Sequence, residues 1–226
     1  MDYFVEVLIK LLPYIKITLL LSFASMLLGL IFGGMLAAMK LGKSKILIKT
    51  ANLFTTFVRC TPVIILLFLS YYGLPLLFEL IGIDISRGSK IMFSIVALTM
   101  YSSATLSEII RPAFFAVNKG QLEAALMAGL TFFQAMRIVV LPQVFYIALP
   151  NFGNMLIALT QESALAYLIG VVDIMGQAKV INSMNYGVHI LEIYLAVSFI
   201  YWILSLAIGR TVDVLTLRMS RILGKN

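Results

Sequence analysis

The stretch EAALMAGLTFFQAMRIVVLP, residues 123–142, places a polar, helix-forming segment inside a strongly apolar chain. Two membrane-spanning helices can be joined by a handful of residues, so an insertion of this length needs another reason to be present. Ordered loops that stay outside the lipid commonly carry binding surfaces. The stretch therefore predicts a docking surface between two membrane-spanning helices.

Composition indicates an integral membrane protein. Of the 226 residues, 62% are hydrophobic and 12% are charged, whereas ordinary soluble domains have about 25% charged residues. A spanning helix needs about 20 mainly apolar residues. We expect one all-α polytopic membrane domain over residues 1–226, with transmembrane helices near residues 15–39, 50–74, 91–111, 144–168 and 189–209. The first apolar run exceeds the roughly 7–15 residues of the apolar region of a signal peptide, so it is expected to remain in the mature protein.

Basic residues at the span ends predict the orientation, because cytoplasmic loops are enriched in Lys and Arg. With the amino terminus outside, five basic residues fall on the outer side: Lys10, Lys16, Arg87, Lys90 and Lys179. Eleven of the seventeen then fall on the inner side: Lys40, Lys43, Lys45, Lys49, Arg111, Lys119, Arg137, Arg210, Arg218, Arg221 and Lys225. We therefore expect the amino terminus outside and the carboxyl terminus in the cytoplasm. Inner loops facing anionic membrane lipid explain the net charge of +7, with no nucleic-acid partner.

Capping patterns divide the polar segment, residues 118–143, into two helices. Asn118 followed by Gln121 predicts a helix start with a capping box. Gly129 is placed to end that helix in the left-handed conformation. Thr131 and Gln134 predict a second capping box, and hence a second helix after a tight turn.

The first of these helices has a slim face that fits a groove on another protein. Ala124 and Ala125 keep the backbone accessible, and Glu123 is available for a charge-assisted contact. The alternative is an interfacial helix lying on lipid, for which Lys119 and Arg137 are few basic residues. Docking is the favoured interpretation.

The segment resembles the EAA motif of binding-protein-dependent ABC importer permeases. It has Glu123-Ala124-Ala125, three residues, Gly129, nine residues, Val139, any residue and then Leu141-Pro142. Further motifs resemble the polar amino-acid uptake branch of that family: Arg59-Cys60-Thr61-Pro62, Tyr72-Gly73-Leu74-Pro75, Ser107-Glu108-Ile109-Ile110-Arg111 and Ile169-Gly170-Val171. The resemblance covers essentially the whole chain. Departures occur at Gln161-Glu162-Ser163-Ala164, Cys60 and Pro112, and they leave the substrate selectivity open.

This resemblance implies a type I ABC importer permease of the bacterial inner membrane, with a cytoplasmic coupling helix between the third and fourth spans. The positions that would contact the ATPase are Gln121, Glu123, Ala124, Ala125, Gly129 and Arg137. The implied partners are two ATPase subunits, an extracytoplasmic substrate-binding protein, and a second copy of the permease or a paralogue. ATP and Mg would be bound by the ATPases, so this chain is expected to have no catalytic residues and no cofactor of its own.

Polar groups within the spans are candidates for substrate contact, because charges are costly in the bilayer and tend to serve function there. Arg59 could bind a substrate carboxylate or be held by backbone carbonyls near Pro62, and counting from Lys49 places it near mid-membrane. Glu162 is the favoured partner for a substrate ammonium or another cationic group, and the alternative is a purely structural role. Tyr101 and Thr105 belong to a run of hydroxyls of which one or two are expected to line a cavity, the others bonding within or between helices.

Several alternatives stay open or are disfavoured. An importer of cystine or another modified or sulphur-containing amino acid cannot be separated from a general polar amino-acid importer. An ion-coupled secondary transporter would have no evident use for a docking loop, and a pure scaffold would not need charges within its spans. Glu108 is expected to pair locally with Arg111, and the lone His189 and Cys60 predict no metal site.

Overall fold

The computed structural model of the chain describes residues 2–222 and residue 224. Lys225, counted above on the inner side, lies outside the described residues. The helices are α1 (Asp2–Leu11), α2 (Ile15–Leu41), α3 (Lys45–Cys60), α4 (Val63–Phe68), α5 (Leu74–Glu79), α6 (Lys90–Phe115), α7 (Lys119–Met127), α8 (Phe132–Ala135), α9 (Leu141–Glu162), α10 (Ile174–Met184) and α11 (Ile190–Ile222). Short 3₁₀ segments at Leu12–Tyr14 and Ser163–Ile169 and π-helical turns at Leu69–Gly73 and Met136–Val140 continue several of them.

Four helical segments within the described residues are long and apolar enough to cross a membrane. They are Tyr3–Leu41, Lys90–Phe115, Phe132–Ile169 and Ile190–Ile222. The first begins well before the predicted start at residue 15, since the chain passes Pro13 through a 3₁₀ turn. The last continues beyond the predicted end at residue 209. An all-α membrane fold is confirmed.

The predicted second span, residues 50–74, is not one straight helix. The segments Lys45–Cys60 and Val63–Glu79 meet at an angle of 108°, so together they form either one broken span or a re-entrant pair. The cause is Pro62, which lacks a backbone N–H and disfavours helical geometry in the residue before it. Thr61 accordingly takes an extended conformation, with φ −98° and ψ 126°. The apolar composition predicted the span, but the bend at this proline divides it.

The centre of the bundle is the contact between α2 and α6, which depends on small residues. Gly29 and Gly33 face Ser102 and Ser103, and the Ser102 hydroxyl donates to the Ser25 carbonyl at 2.9 Å. A Cβ added at Gly33 would lie 2.9 Å from the backbone oxygen of Ser103. The GxxxG spacing of Gly29 and Gly33 therefore corresponds to close packing of α2 against α6.

We expect Gly33→Leu to destabilise the protein by about 1–3 kcal/mol or more, because the added side chain meets backbone that cannot rotate away. The matched control is Gly34→Leu on the neighbouring residue, where an added Cβ meets nothing within 4 Å. Thermal unfolding in detergent measures both. Equal melting temperatures for the two variants would contradict the close-packing role of Gly33.

A second apolar cluster joins α1, α10 and α11, and Asp173 lies at its junction with α2. Asp173 caps α10 by accepting from the Gly176 N–H at 2.9 Å, and it also accepts from Thr18 of α2 and Tyr201 of α11. Burial raises the pKa of Asp173 to about 6, against the opposing effect of its hydrogen bonds. This carboxyl therefore holds three helices together on the side of the bundle away from α7.

Candidate functional site

The polar segment folds as a helix, a tight turn and a short helix, as predicted. Asn118 caps α7, but its side chain accepts from the Gly120 N–H at 2.9 Å. The predicted capping box with Gln121 does not form. The side-chain oxygen of Gln121 instead accepts from the side-chain amide of Gln143 at 3.5 Å. This contact ties α7 to the start of α9.

The turn after α7 has the predicted geometry. Gly129 has φ +86°, a conformation that favours glycine, and the Leu130 N–H donates to the Ala125 carbonyl at 3.2 Å. The Thr131 hydroxyl accepts from the Gln134 N–H, while the Gln134 side chain accepts from the Thr131 N–H. The second capping box is confirmed, and α8 starts where the sequence predicted.

Exposed apolar side chains cover the outer face of α7 and α8. Met127 is 90% exposed, and Phe132 and Phe133 are 63% and 72% exposed. Glu123 and Ala124 are exposed on the same segment, and Gly129 is exposed at the turn. Large apolar groups this exposed are typical of surfaces that contact another protein or a membrane.

Two of the predicted coupling residues lie elsewhere. Ala125 is 7% exposed, so its methyl group packs inward and its small size lets α7 pack closely against the rest of the protein. Arg137 is exposed but lies in the π-helical turn Met136–Val140, beside the apolar groove between α2, α6 and α9.

Within the bundle, α6 presents a stripe of half-buried polar residues, Tyr101, Thr105 and Glu108, here called the α6 stripe. Their spacing of four and three residues places them on one face of the helix. The Thr105 hydroxyl donates to the Tyr101 carbonyl at 3.1 Å. Glu162, half-buried at the end of α9, is close enough to act electrostatically on Tyr101. The structure therefore places Glu162 near Tyr101, with Thr105 one helical turn further along α6.

Charged groups gather at the other end of the α6 stripe. Glu108 forms an ion pair with Lys40 of α2 at 2.5 Å, so the predicted local pair with Arg111 is wrong. Arg59, in the last turn of α3, and Arg111 both act electrostatically on the Glu108 carboxylate. Arg59 itself is exposed at the break before Pro62.

Sequence reasoning missed Lys40. Its side chain is 2% exposed, and besides Glu108 it donates to Thr55 at 2.8 Å and to Ser107 at 3.4 Å. From the sequence it was counted only among the basic residues of the inner side. Its burial could have been predicted from the helical spacing in the sequence, because Lys40 continues the buried face of Gly29, Gly33 and Ala37.

Some of the hydroxyl side chains of α6 do not belong to the α6 stripe. Ser102 and Ser103 are buried and donate to backbone carbonyls, Ser102 to Ser25 and Ser103 to Met100 at 2.9 Å. These bonds lie within or between helices, as expected for the hydroxyls that do not line a cavity. No group of His, Cys, Asp and Glu side chains able to hold a metal occurs among the residues described.

Comparison with known proteins agrees with this architecture. Residues 25–221 match the family described as "Binding-protein-dependent transport system inner membrane component". The chain is 37% identical over 207 residues to the "Probable amino-acid permease protein YxeN" of Bacillus subtilis (strain 168), covering 92% of this chain and 90% of that one. It is 38% identical over 190 residues to the "L-cystine transport system permease protein TcyL" of the same organism, covering 84% and 78%.

A solved structure is similar over nearly the whole chain. "Crystal structure of an amino acid ABC transporter with histidines" superposes with a TM-score of 0.79 at 32% identity, covering 92% of this chain and 94% of that chain. The resemblance first noted at the EAA motif is therefore confirmed. The chain belongs to the family of inner membrane components of binding-protein-dependent transport systems.

Proposed function

We propose that the chain translocates a polar amino acid that an extracytoplasmic binding protein delivers, in an importer driven by ATP. The observation that carries the substrate class is the α6 stripe, which has a carboxylate near one end and a surplus of cationic groups near the other. Glu162 lies by Tyr101, whereas Lys40, Arg59 and Arg111 surround Glu108. A zwitterionic amino acid carries an ammonium group for the carboxylate end of the α6 stripe and a carboxylate group for the cationic end.

The separation of the two ends suits a small polar solute. Glu108 follows Tyr101 by seven positions in the helix, a rise of about 10 Å. Glu162 is the proposed partner of a substrate ammonium and Arg59 of its carboxylate. Tyr101 and Thr105 lie between them as neutral hydrogen-bonding groups. Both charged residues remain part-exposed, so each has room for a ligand.

The proposed assembly contains two permeases and two ATPases, with ATP and Mg bound in the latter. A second copy or a paralogue would close the open side of the α6 stripe and so complete the path. The exposed face of α7 and α8 would enter a cleft of each ATPase, so that nucleotide-driven closure moves the permeases between outward-facing and inward-facing states. This places α7 in the cytoplasm and the amino terminus outside.

A second candidate substrate is cystine. The 38% identity to the cystine permease TcyL supports it, and the departures at residues 161–164 allow it. Cystine carries two amino-acid groups and would engage both ends of the α6 stripe at once. Competition by unlabelled cystine in an uptake assay separates the two candidates.

The test of the proposal is uptake into proteoliposomes that contain this chain, its ATPase and its binding protein. We expect uptake of a polar amino acid that requires ATP inside the vesicle. Uptake driven by an ion gradient with no ATPase present would instead show a secondary transporter and overturn the proposal.

We expect Glu162→Gln to reduce uptake at least about tenfold, since a buried charge pair that loses one partner commonly costs 2–5 kcal/mol. Assembly and basal ATP hydrolysis should persist, because Glu162 is at the end of α9 that is remote from the polar segment, residues 118–143. The matched control is Glu79→Gln, which alters an exposed carboxylate at the end of α5. Undiminished uptake in the Glu162 variant would remove this residue from the substrate site.

A further inference from the structure

An apolar groove of about 610 Å³ runs along the outside of the bundle between α2, α6 and α9. Gly34 and Ala38 of α2 form its floor, and Phe114 of α6 and Phe145 of α9 form its sides. The groove is open because of the small residues, and a Cβ added at Gly34 would meet nothing within 4 Å. It is distinct from the α6 stripe, whose residues do not line it.

The dimensions of the groove fit one leaflet of a bilayer. Its wall on α2 runs from Leu30 to Leu41, a separation of eleven positions and hence about 16 Å of helix. The hydrocarbon core of a membrane is about 30 Å thick, so one leaflet takes about 15 Å. All three walls belong to helical segments long and apolar enough to span the membrane.

A single charge stands at the end of this groove that is nearest the coupling segment. Among its lining residues, Arg137 is the charged one, and it lies at the π-helical turn just before α9. Arginine at the membrane boundary extends its guanidinium towards the headgroup region. Its fork of donors binds phosphate in a bidentate manner.

We propose that this groove binds one acyl chain of an anionic phospholipid, with the lipid phosphate on Arg137. The substrate does not fit there, because a polar amino acid would lose its hydration against apolar walls. A helix of a second copy would cover the groove without supplying an anion for the arginine. A phospholipid supplies the chain and the anion together. The inference rests on the membrane location of the three helices and does not depend on which substrate the protein carries.

The test measures lipid bound to the purified protein by native mass spectrometry, with phosphatidylglycerol and phosphatidylcholine of identical acyl chains as probes. We expect phosphatidylglycerol to bind more tightly to the unaltered protein. Arg137→Gln should weaken that binding about 5- to 50-fold and remove the preference for the anionic lipid, whereas Arg137→Lys should keep part of it. Arg218→Gln, which alters an exposed arginine of α11 away from the groove, should change nothing.

A second variant tests the groove itself. Gly34→Phe directs a ring into the groove from a position where an added Cβ meets nothing within 4 Å, so we expect the fold to be retained and both lipids to bind less at this site. Phosphatidylglycerol binding that is unchanged in both Arg137→Gln and Gly34→Phe would overturn the proposal. A Gly34→Cys variant, made with Cys60→Ser, should form no disulfide-linked dimer under oxidation. Rapid formation of a disulfide between two copies would show that a second permease, and not a lipid, covers the groove.

Discussion

Replacing Glu123 by Arg is expected to abolish ATP-driven uptake while leaving the permease folded. Glu123 is exposed on α7, so the substitution alters no core contact, and surface changes of this kind usually shift stability by no more than about 0.5 kcal/mol. At the proposed ATPase surface, however, loss of the carboxylate removes a charge contact and the new guanidinium adds repulsion. Loss of one partner of an interfacial charge pair commonly costs 2–5 kcal/mol, or about 30-fold or more in affinity.

Three measurements separate this result from misfolding. Thermal unfolding in detergent should match that of the unaltered protein, co-purification with the ATPase should fall at least about tenfold, and uptake should be lost. Glu79→Arg, a charge reversal at the exposed end of α5, is the matched control and should leave co-purification unchanged. An ATPase that remains bound and fully stimulated in the Glu123 variant would contradict the coupling role of α7.

The polar segment, residues 118–143, could be predicted in detail because its structure depends on interactions between neighbouring residues. Gly129 takes a left-handed conformation and Thr131 forms a capping box with Gln134, and both effects act over a few neighbouring residues. The same is true of the long apolar helices, which follow from composition. Asn118 shows the limit even here, because its cap goes to Gly120 once Gln121 faces Gln143 of a different helix.

The bend between α3 and α4 was missed because apolar composition records only that a segment prefers lipid. Pro62 was visible in the sequence, but prolines also occur within spanning helices, as Pro112 and Pro150 do in α6 and α9. Whether a proline only interrupts the hydrogen bonding or turns the chain by 108° depends on what the next helix packs against. That is a tertiary effect, and no local pattern predicts it.

The partner of Glu108 was also beyond local reasoning. Spacing alone favoured Arg111, three residues away on the same helix, but Lys40 reaches Glu108 from 68 residues earlier in the chain. The close approach of α2 and α6 at Gly33 brings Lys40 against α6, where its side chain is enclosed. The glycines and the lysine lie on one face of α2, so the spacing of these residues in the sequence contained the information needed to place the charge.

Replacing Lys40 by Met is therefore expected to destabilise the bundle by about 2–3 kcal/mol. Removal of one partner of a buried pair costs about 3–5 kcal/mol, and the 29% exposure of the Glu108 side chain reduces this figure. Thr55 and Ser107 would lose a donor as well, which loosens α3 and α6 against α2. Lys43→Met, in the exposed loop that follows α2, is the matched control and should have little effect on thermal unfolding.

A double variant distinguishes a charge effect from a packing effect. If the cost of Lys40→Met comes from the unpaired Glu108 carboxylate, then Lys40→Met with Glu108→Leu should be more stable than the sum of the two single effects, by about 1–3 kcal/mol. Additive effects would show that the two side chains act separately. Since Glu108 also belongs to the α6 stripe, uptake by the double variant tests whether Lys40 serves substrate passage as well: a stable protein with reduced uptake would show that this ion pair is part of the transport path.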